Sequence, residues 1–219
     1  MVFLGPPGAG KGTQGTRLAS FWSVPHIASG DLLRRILQNE PTSELSHSIR
    51  VIAKGNLVSD EIVAQVVFGA LDQPEAGNGF VLDGYPRSAA QAQDLDRHLA
   101  HDGRELDAII GLVIGEDALV ARLSGRLTCM NCGASYHVVN DPPRRAGICD
   151  RCGNMLTMRE DDQPGPIRTR LKLYGERVEP LLRFYREGGL LREIDAEGGE
   201  DEIFQRILAV TGSSGKSLV

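Results

Sequence analysis

The sequence predicts an α/β protein with a doubly wound, parallel sheet of five strands. Three observations support this fold class. Short apolar runs alternate with helical segments along the whole chain. The run over 108–114 is apolar on both faces, as expected of a parallel strand that is covered by helices. A glycine-rich motif directly follows the first apolar run, which gives a strand, a loop and a helix in succession.

The glycine-rich motif reads GPPGAGKGT over 5–13, after the apolar run Met1–Leu4. This spacing is typical of a phosphate-binding P-loop. Glycines in such a loop allow positive φ values and let backbone amides approach an anion closely. Three glycines fill this role in the motif: Gly5, Gly8 and Gly10.

The first helix is predicted over 12–21, and its positive dipole end points at the same phosphates. Lys11 adds a mobile positive charge beside it. Gly12 stands where a Mg²⁺-binding Ser or Thr usually follows the lysine, and the hydroxyl comes one place later, at Thr13. The P-loop prediction therefore leaves the metal role of Thr13 open.

Apolar periodicity and terminal residues predict the remaining elements. Pro180 is expected to kink or split the long helix that contains it. Strands are predicted over 24–28, 80–83, 108–114 and 190–195, and helices over 32–38, 43–54, 59–71, 88–100, 116–124, 167–185 and 201–210.

Side chains at several helix starts are predicted to act as caps. Ser29 or Asp31 is expected to cap the second helix, and Ser59 caps the fourth. Ser88 and Gln91 fit the S-x-x-Q form of a capping box, which gives Gln91 a structural role of its own.

A carboxylate and an arginine follow the strand predicted over 80–83. Asp83 ends this strand, and Arg87 comes four residues later. In parallel α/β folds, ligands bind outside the carboxyl ends of the strands. Asp83 is therefore predicted to hold Mg²⁺ through water on the P-loop side.

Composition limits the possible classes of function. The chain has 219 residues, 41% of them hydrophobic, and a net charge of −5, with no apolar run of 18 residues. A cytoplasmic protein that binds neither a membrane nor a nucleic-acid backbone is expected. The P-loop starts at Gly5, which leaves no room for a signal peptide before it.

The four cysteines are arranged as C-x₂-C-x₁₆-C-x₂-C. Two such pairs predict a tetrahedral, structural Zn²⁺ site, because each pair can direct two thiolates at one ion. Two disulfides are the alternative, which a cytoplasmic compartment disfavours. The predicted ligands are Cys129, Cys132, Cys149 and Cys152.

These motifs together resemble the adenylate kinases, specifically the bacterial long form whose lid carries zinc. The resemblance covers nearly the whole chain and implies the P-loop nucleoside monophosphate kinase fold, with two inserted mobile subdomains. The core domain would comprise 1–28, 59–124 and 163–219, the AMP-binding domain 29–58 and the zinc-binding lid 125–162. The resemblance rests on GPPGAGKGT at 5–13, SGDLLR at 29–34, GNLVSDE at 55–61, DGYPR at 83–87, the cysteine pairs and REDDQPGPIRTRL at 159–171.

The resemblance also implies site residues. Arg122 would pack on the ATP base, and Gln91 would read the adenine edge of AMP. The implied ATP-binding residues are Gly8, Ala9, Gly10, Lys11, Gly12, Thr13, Arg122 and Arg126. The implied AMP-binding residues are Ser29, Arg34, Leu57, Val58, Gly84, Arg87, Gln91, Arg159 and Arg170. The implied catalytic residues are Lys11, Arg87, Arg126, Arg159 and Arg170.

The implied reaction is reversible, Mg²⁺-dependent transfer of a phosphoryl group from ATP to AMP, giving ADP, by a monomeric enzyme whose lid closes. Asp161 and Asp162 at the lid hinge are expected to orient arginines. Two alternatives stay open. One is a kinase for UMP, CMP or GMP. The other is a P-loop switch whose zinc ribbon binds nucleic acid, against which the negative net charge argues.

Overall fold

The computed structural model describes residues 1–53, 59–158, 162 and 164–212. It contains one parallel sheet of five strands and a smaller antiparallel sheet of three. The strands are β1 (Val2–Leu4), β2 (His26–Ala28), β3 (Val81–Asp83), β4 (Ile109–Val113), β5 (Arg126–Cys129), β6 (Ser135–His137), β7 (Leu156–Thr157) and β8 (Leu191–Asp195). The helices are α1 (Lys11–Trp22), α2 (Ser29–Asn39), α3 (Glu44–Ala53), α4 (Asp60–Leu71), α5 (Ala89–His101), α6 (Glu116–Ser124), α7 (Pro164–Glu187) and α8 (Glu200–Thr211).

The large sheet has the strand order β2-β3-β1-β4-β8, and all of its pairs are parallel. The predicted fold class and its five strands are therefore confirmed. Because β1 lies at the centre, the P-loop that follows it emerges at the middle of the carboxyl edge. The loop after β3 emerges next to it, since β1 and β3 are hydrogen-bonded neighbours.

The two faces of the sheet carry separate hydrophobic cores. Val2 and Leu4 point into one core, whereas Phe3 between them lies in the other. This follows from the alternation of side chains along a strand. Both faces are thus covered by helices, and the carboxyl edge is left for the loops that follow the strands.

The start of α2 differs from the prediction. Ala28 occupies the N-cap position in extended conformation, and no side chain caps the helix. The prediction that Ser29 or Asp31 caps it is therefore wrong. Ser29 instead donates its hydroxyl hydrogen to the Gly84 carbonyl at 2.9 Å, across the edge of the sheet. The cap prediction for Ser59 is confirmed, because its Oγ accepts from the Ile62 amide.

Pro180 does not split α7, which runs without interruption from Pro164 to Glu187. A proline removes one backbone hydrogen bond from a helix. Around this position, Val178, Leu181 and Tyr185 are buried, so packing holds the helix together. The expected break is therefore absent.

The antiparallel sheet β6-β5-β7 lies within the cysteine-containing segment and was not predicted. Its small apolar core consists of four buried residues: Cys129, Ala134, Cys149 and Leu156. Among the described parts of the chain, no helix is long and apolar enough to cross a bilayer.

Candidate active site

The P-loop wraps the start of α1 with its glycines in left-handed conformations. Gly8 has φ 86° and Gly10 has φ 94°, values that side chains rarely adopt. A Cβ added to Gly10 would meet no atom within 4 Å, so the loop is open at this point. Lys11 Nζ donates to the carbonyls of Gly5 at 2.8 Å and Pro6 at 3.0 Å. The loop thus presents backbone amides, a helix start and an ammonium group to one open space.

Asp83 lies beside this space, at the carboxyl end of β3. Its Oδ2 would be 3.8 Å from a Cβ on Gly12, which places the carboxylate next to the first turn of α1. Carboxylate oxygens are preferred ligands of Mg²⁺, which usually keeps several waters. The position therefore fits a magnesium ion that accompanies a nucleoside triphosphate.

The loop after β3 gathers a second set of polar groups on its other side. The Gly84 carbonyl accepts from Ser29 Oγ at 2.9 Å and from Arg87 Nε at 2.8 Å. Gly84 has φ 80°, and a Cβ there would lie 2.6 Å from Ser29 Oγ. Only glycine fits this position, and it brings Ser29 and Arg87 together.

Gln91 is almost completely buried next to this loop. The backbone N–H of Gln91 donates to Ser88 Oγ, with an N–O distance of 3.2 Å, so the predicted helix cap is confirmed. The reciprocal half of the capping box is wrong, because Gln91 Oε1 accepts from the Arg87 amide, at 2.6 Å, and not from the Ser88 amide. An N–H donor requires the oxygen of the side-chain amide, so the Nε2 hydrogens of Gln91 point elsewhere.

Three further arginines come from three elements, α2, α6 and β5. Arg34 forms an ion pair with Asp31 on α2. Arg122 Nη2 donates to the carbonyl of Ala196, at 2.8 Å, in the loop after β8. Arg126 makes a bidentate ion pair with Asp162, at 2.7 and 2.6 Å.

The carboxylate of Asp162 is fully buried. It holds the Arg126 guanidinium in a planar, two-bond arrangement, which agrees with the expectation that the hinge carboxylates orient arginines. Other site predictions fall elsewhere. Arg170 belongs to α7, but its side chain is outside the described part of the structure. Outside the described residues lie Leu57, Val58, Arg159 and Asp161.

The four cysteines meet at one point. Their sulfurs all lie within 4.8 Å of one another, and the Cys129–Cys152 and Cys132–Cys149 sulfur pairs are 3.4 and 3.5 Å apart. Tetrahedral zinc with Zn–S bonds of ~2.3 Å would place its sulfurs about 3.8 Å apart. All four thiols are free, so the alternative of two disulfides is wrong. The cluster fits a structural zinc ion that has no open coordination position.

The chain is similar to known proteins along most of its length. The family model described as adenylate kinase matches residues 3–190. An adenylate kinase of Moorella thermoacetica is 43% identical over 217 residues, covering 99% of this chain and 98% of that protein. An adenylate kinase of Lachnospira eligens is 38% identical over 213 residues (97% and 99%), and one of Archaeoglobus fulgidus is 40% identical over 211 residues (96% and 96%).

The chain belongs to the adenylate kinase family. Its resemblance to that family, inferred from scattered motifs, is thereby confirmed. The two groups of polar residues on either side of the β3 loop belong to an adenylate kinase fold, and the cysteine cluster lies in the inserted small sheet.

His137 connects the small sheet of this adenylate kinase family member to α6. Its Nδ1 accepts from the amides of Val139 and Asn140, each at 3.1 Å. The proton therefore resides on Nε2, which faces the Ala121 carbonyl at 3.3 Å. The ring lies against Gly125, at the junction where the inserted segment leaves the core.

The groups that surround the cysteine sulfurs were not predicted from the sequence. The side-chain amide of Asn154 and its backbone, together with Asn131, lower the pKa of Cys152 to about 5. Burial would raise the pKa of Cys149, but hydrogen bonds from Tyr136 and backbone amides hold it below its usual value. Burial raises the pKa of Cys132 to about 12, so metal binding there releases a proton.

Tyr136 lies next to the proposed metal site. Its hydroxyl lies 3.6 Å from Cys149 Sγ and accepts from the Asp150 amide at 2.9 Å, between the two ligands of the second pair. No local sequence rule identifies such a residue, since it lies 13 positions from the thiolate that it contacts. It orients a ligand that a cysteine motif alone leaves free to rotate.

We expect Tyr136→Phe to weaken zinc binding by about 10- to 100-fold, because outer hydrogen-bond partners tune ligand orientation and charge. Competition with a chromogenic chelator measures this affinity. Tyr185→Phe is the matched control, since the buried Tyr185 hydroxyl has no hydrogen-bond partner among the described residues and lies in a hydrophobic core of the large sheet. Equal affinities of the Tyr136→Phe variant and the wild type would contradict the assignment.

Proposed function

We propose that the chain catalyses the reversible, Mg²⁺-dependent transfer of a phosphoryl group from ATP to AMP, giving two ADP. One observation carries this proposal. The carboxyl end of β3 lies between the open P-loop, which Asp83 faces, and the cluster in which the Gly84 carbonyl joins Ser29 to Arg87. Two polar surfaces that meet at the consecutive residues Asp83 and Gly84 would suit the phosphates of a donor and an acceptor nucleotide held in line.

The donor side is assigned to the P-loop. Amides from Gly8 to Thr13 and the Lys11 ammonium would hold the ATP phosphates, because backbone donors at a helix start favour anions. In the complex, Lys11 would exchange its carbonyl partners for a phosphate oxygen. Arg122, fixed to the loop after β8, would lie on the ATP base, and Arg126 would reach the phosphates.

The acceptor side is assigned to α2 and the β3 loop. Arg34 and Arg87 would hold the AMP phosphate, since guanidinium groups bind phosphate with two parallel bonds. Gln91 has its oxygen engaged by the Arg87 amide, so its Nε2 is the group offered to a base. Such a donor suits N1 of adenine, which accepts, and opposes N1 of guanine, which carries a hydrogen. Ser29, Leu57, Val58 and Gly84 complete the proposed AMP site.

The chemistry needs positioning and charge neutralisation, not a general base. The acceptor phosphate is largely ionised near neutral pH, because its second pKa is about 6. Bound Mg²⁺ at Asp83 would neutralise charge on the ATP phosphates. Lys11, Arg87, Arg126, Arg159 and Arg170 are the proposed catalytic residues, and they would stabilise charge on the transferring group. Closure of the lid excludes water, which would otherwise accept the phosphoryl group.

We further propose the subdomain division 1–28, 59–124 and 163–219 for the core, 29–58 for AMP binding and 125–162 for the lid. The division is supported by the separate core of the small sheet. A monomeric, cytoplasmic enzyme that binds no nucleic acid completes the proposal, in keeping with the net charge of −5.

The test is ADP formation from MgATP with AMP, UMP, CMP, GMP or no acceptor, with the same purified protein throughout. We expect transfer to AMP to exceed transfer to every other acceptor, and ATP hydrolysis without acceptor to be negligible. Better use of another monophosphate would assign the protein to that acceptor and leave Gln91 as a structural residue. Absence of transfer to any acceptor would contradict the proposal altogether.

A further inference from the structure

The first cysteine pair reaches across to the helix that carries Arg34. Gln38, in the last turn of α2, donates from Nε2 to the Met130 carbonyl at 3.1 Å. Met130 lies between Cys129 and Cys132, so the accepting carbonyl belongs to the turn that bears two metal ligands. This hydrogen bond joins residues that are 92 positions apart in the sequence.

A second close approach to α2 is made by Gly133, which directly follows Cys132. Gly133 has φ 74°, and a Cβ added there would lie 3.6 Å from Asp31 Oδ2. Asp31 and Gln38 are separated by two helical turns and so lie on one face of α2. The turn of the first cysteine pair therefore approaches this face of α2 at two places, Met130 next to Gln38 and Gly133 next to Asp31.

Arg34 lies between these two contacts on α2 and is ion-paired with Asp31. The guanidinium proposed to hold the AMP phosphate is thus paired with a carboxylate that lies next to the cysteine turn. The cysteine turn itself is held by two backbone hydrogen bonds. The Gly133 amide donates to the Cys129 carbonyl at 2.9 Å, and the Cys129 amide donates to the Ala134 carbonyl at 2.8 Å.

We propose that Gln38 is a positioning residue that latches the first cysteine turn onto α2, so that metal in the lid and AMP at Arg34 stabilise each other. This inference rests on the proposed function, because it takes Arg34 as part of the AMP site. Metal holds Cys129 and Cys132 together and fixes the direction of the Met130 carbonyl. Bound AMP holds α2 in place through Arg34. Gln38 connects the two ordered elements.

Thermodynamic linkage makes this coupling reciprocal. If bound zinc tightens AMP binding through the latch, AMP must tighten zinc binding by the same factor, and we expect the tighter binding to appear as slower release of zinc. One hydrogen bond between an exposed side chain and a carbonyl corresponds to a factor of about two to ten. The latch therefore has a readout that is independent of turnover.

The experiment uses the full, zinc-loaded protein and measures zinc release to a chromogenic chelator, with and without saturating AMP. Gln38→Ala is compared with Gln73→Ala, an exposed glutamine whose side chain donates to the Gly69 carbonyl within α4. We expect AMP to slow zinc release about two- to tenfold in the wild type and in Gln73→Ala. In Gln38→Ala this slowing disappears, KM for AMP rises by a similar factor, and KM for ATP stays unchanged.

Gln38→Ala that retains the full AMP effect on zinc release would overturn the latch. So would a wild type that forms ADP while its zinc release ignores AMP, and in that case the proposed function stands. A wild type that neither forms ADP nor binds AMP would overturn both proposals. Recovery of the AMP effect in Gln38→Asn, in part or in full, would support a hydrogen bond and not a general effect on α2.

Discussion

Replacing Lys11 with Met is expected to lower kcat for ADP formation by about 10²- to 10³-fold, the cost typical of removing one preorganised donor from a developing negative charge. Lys11 is the ammonium group of the P-loop and lies at the first position of α1, where the helix start is already positive. KM for ATP should change less than kcat, because the backbone amides of the loop continue to hold the phosphates. Initial rates with saturating AMP measure both parameters.

Lys172→Met is the matched control, because this exposed lysine on α7 loses the same charge in the same exchange. Its kcat should stay within about twofold of the wild type. Lys11 also bonds two carbonyls, so thermal unfolding must be recorded for the Lys11→Met variant. A variant with a wild-type melting temperature and a wild-type kcat would show that the P-loop amides act without the lysine.

Removal of the metal is expected to unfold the inserted small sheet while the core domain stays folded. Zinc binding is worth about 10–16 kcal/mol in small peptides that fold only with metal. The inserted segment has just four buried residues in its own core, two of them cysteines, so little apolar burial offsets its conformational entropy. Without zinc, cleavage by a protease should therefore concentrate between Arg126 and Thr157, and ADP formation should be lost.

Two probes separate the lid from the core. The single tryptophan, Trp22, packs against the core domain, so its fluorescence reports unfolding there. Chelated wild-type protein should regain protease resistance when zinc is added. Cys149→Ser should not, because a buried serine cannot supply the missing thiolate. Protease resistance of the metal-free lid equal to that of the zinc-loaded protein would contradict a structural role for the ion.

The sequence predicted the sheet well because its signals are local. A run that is apolar on both faces identified β4, and the cap at Ser59 identified the start of α4. Both signals depend on residues that are neighbours in the chain. The predicted split at Pro180 is wrong for the same reason. The local cost of a proline is visible in sequence, whereas the burial of Leu181 and Tyr185 that offsets it is a property of the packed core.

The candidate site divides in the same way. The P-loop and the cysteine ligands were predictable, since each is a short segment whose spacing determines its geometry. The cap assigned to Ser29 was wrong, because the hydroxyl of that residue is used by Gly84, far along the chain. Likewise, the side-chain oxygen of Gln91 accepts a hydrogen bond from the Arg87 amide and not from the Ser88 amide at the start of its own helix.

By itself, the sequence determined the fold class, the family and the two local motifs that are proposed to bind phosphate and metal. Only the tertiary structure decided which distant groups meet: Arg126 with the buried Asp162, Tyr136 with Cys149, and Gln38 with the carbonyl of Met130. The reason is physical. Backbone conformation and hydrophobic periodicity are set by neighbours within a few residues, but hydrogen-bond partners far apart in sequence are chosen by how the elements pack against one another.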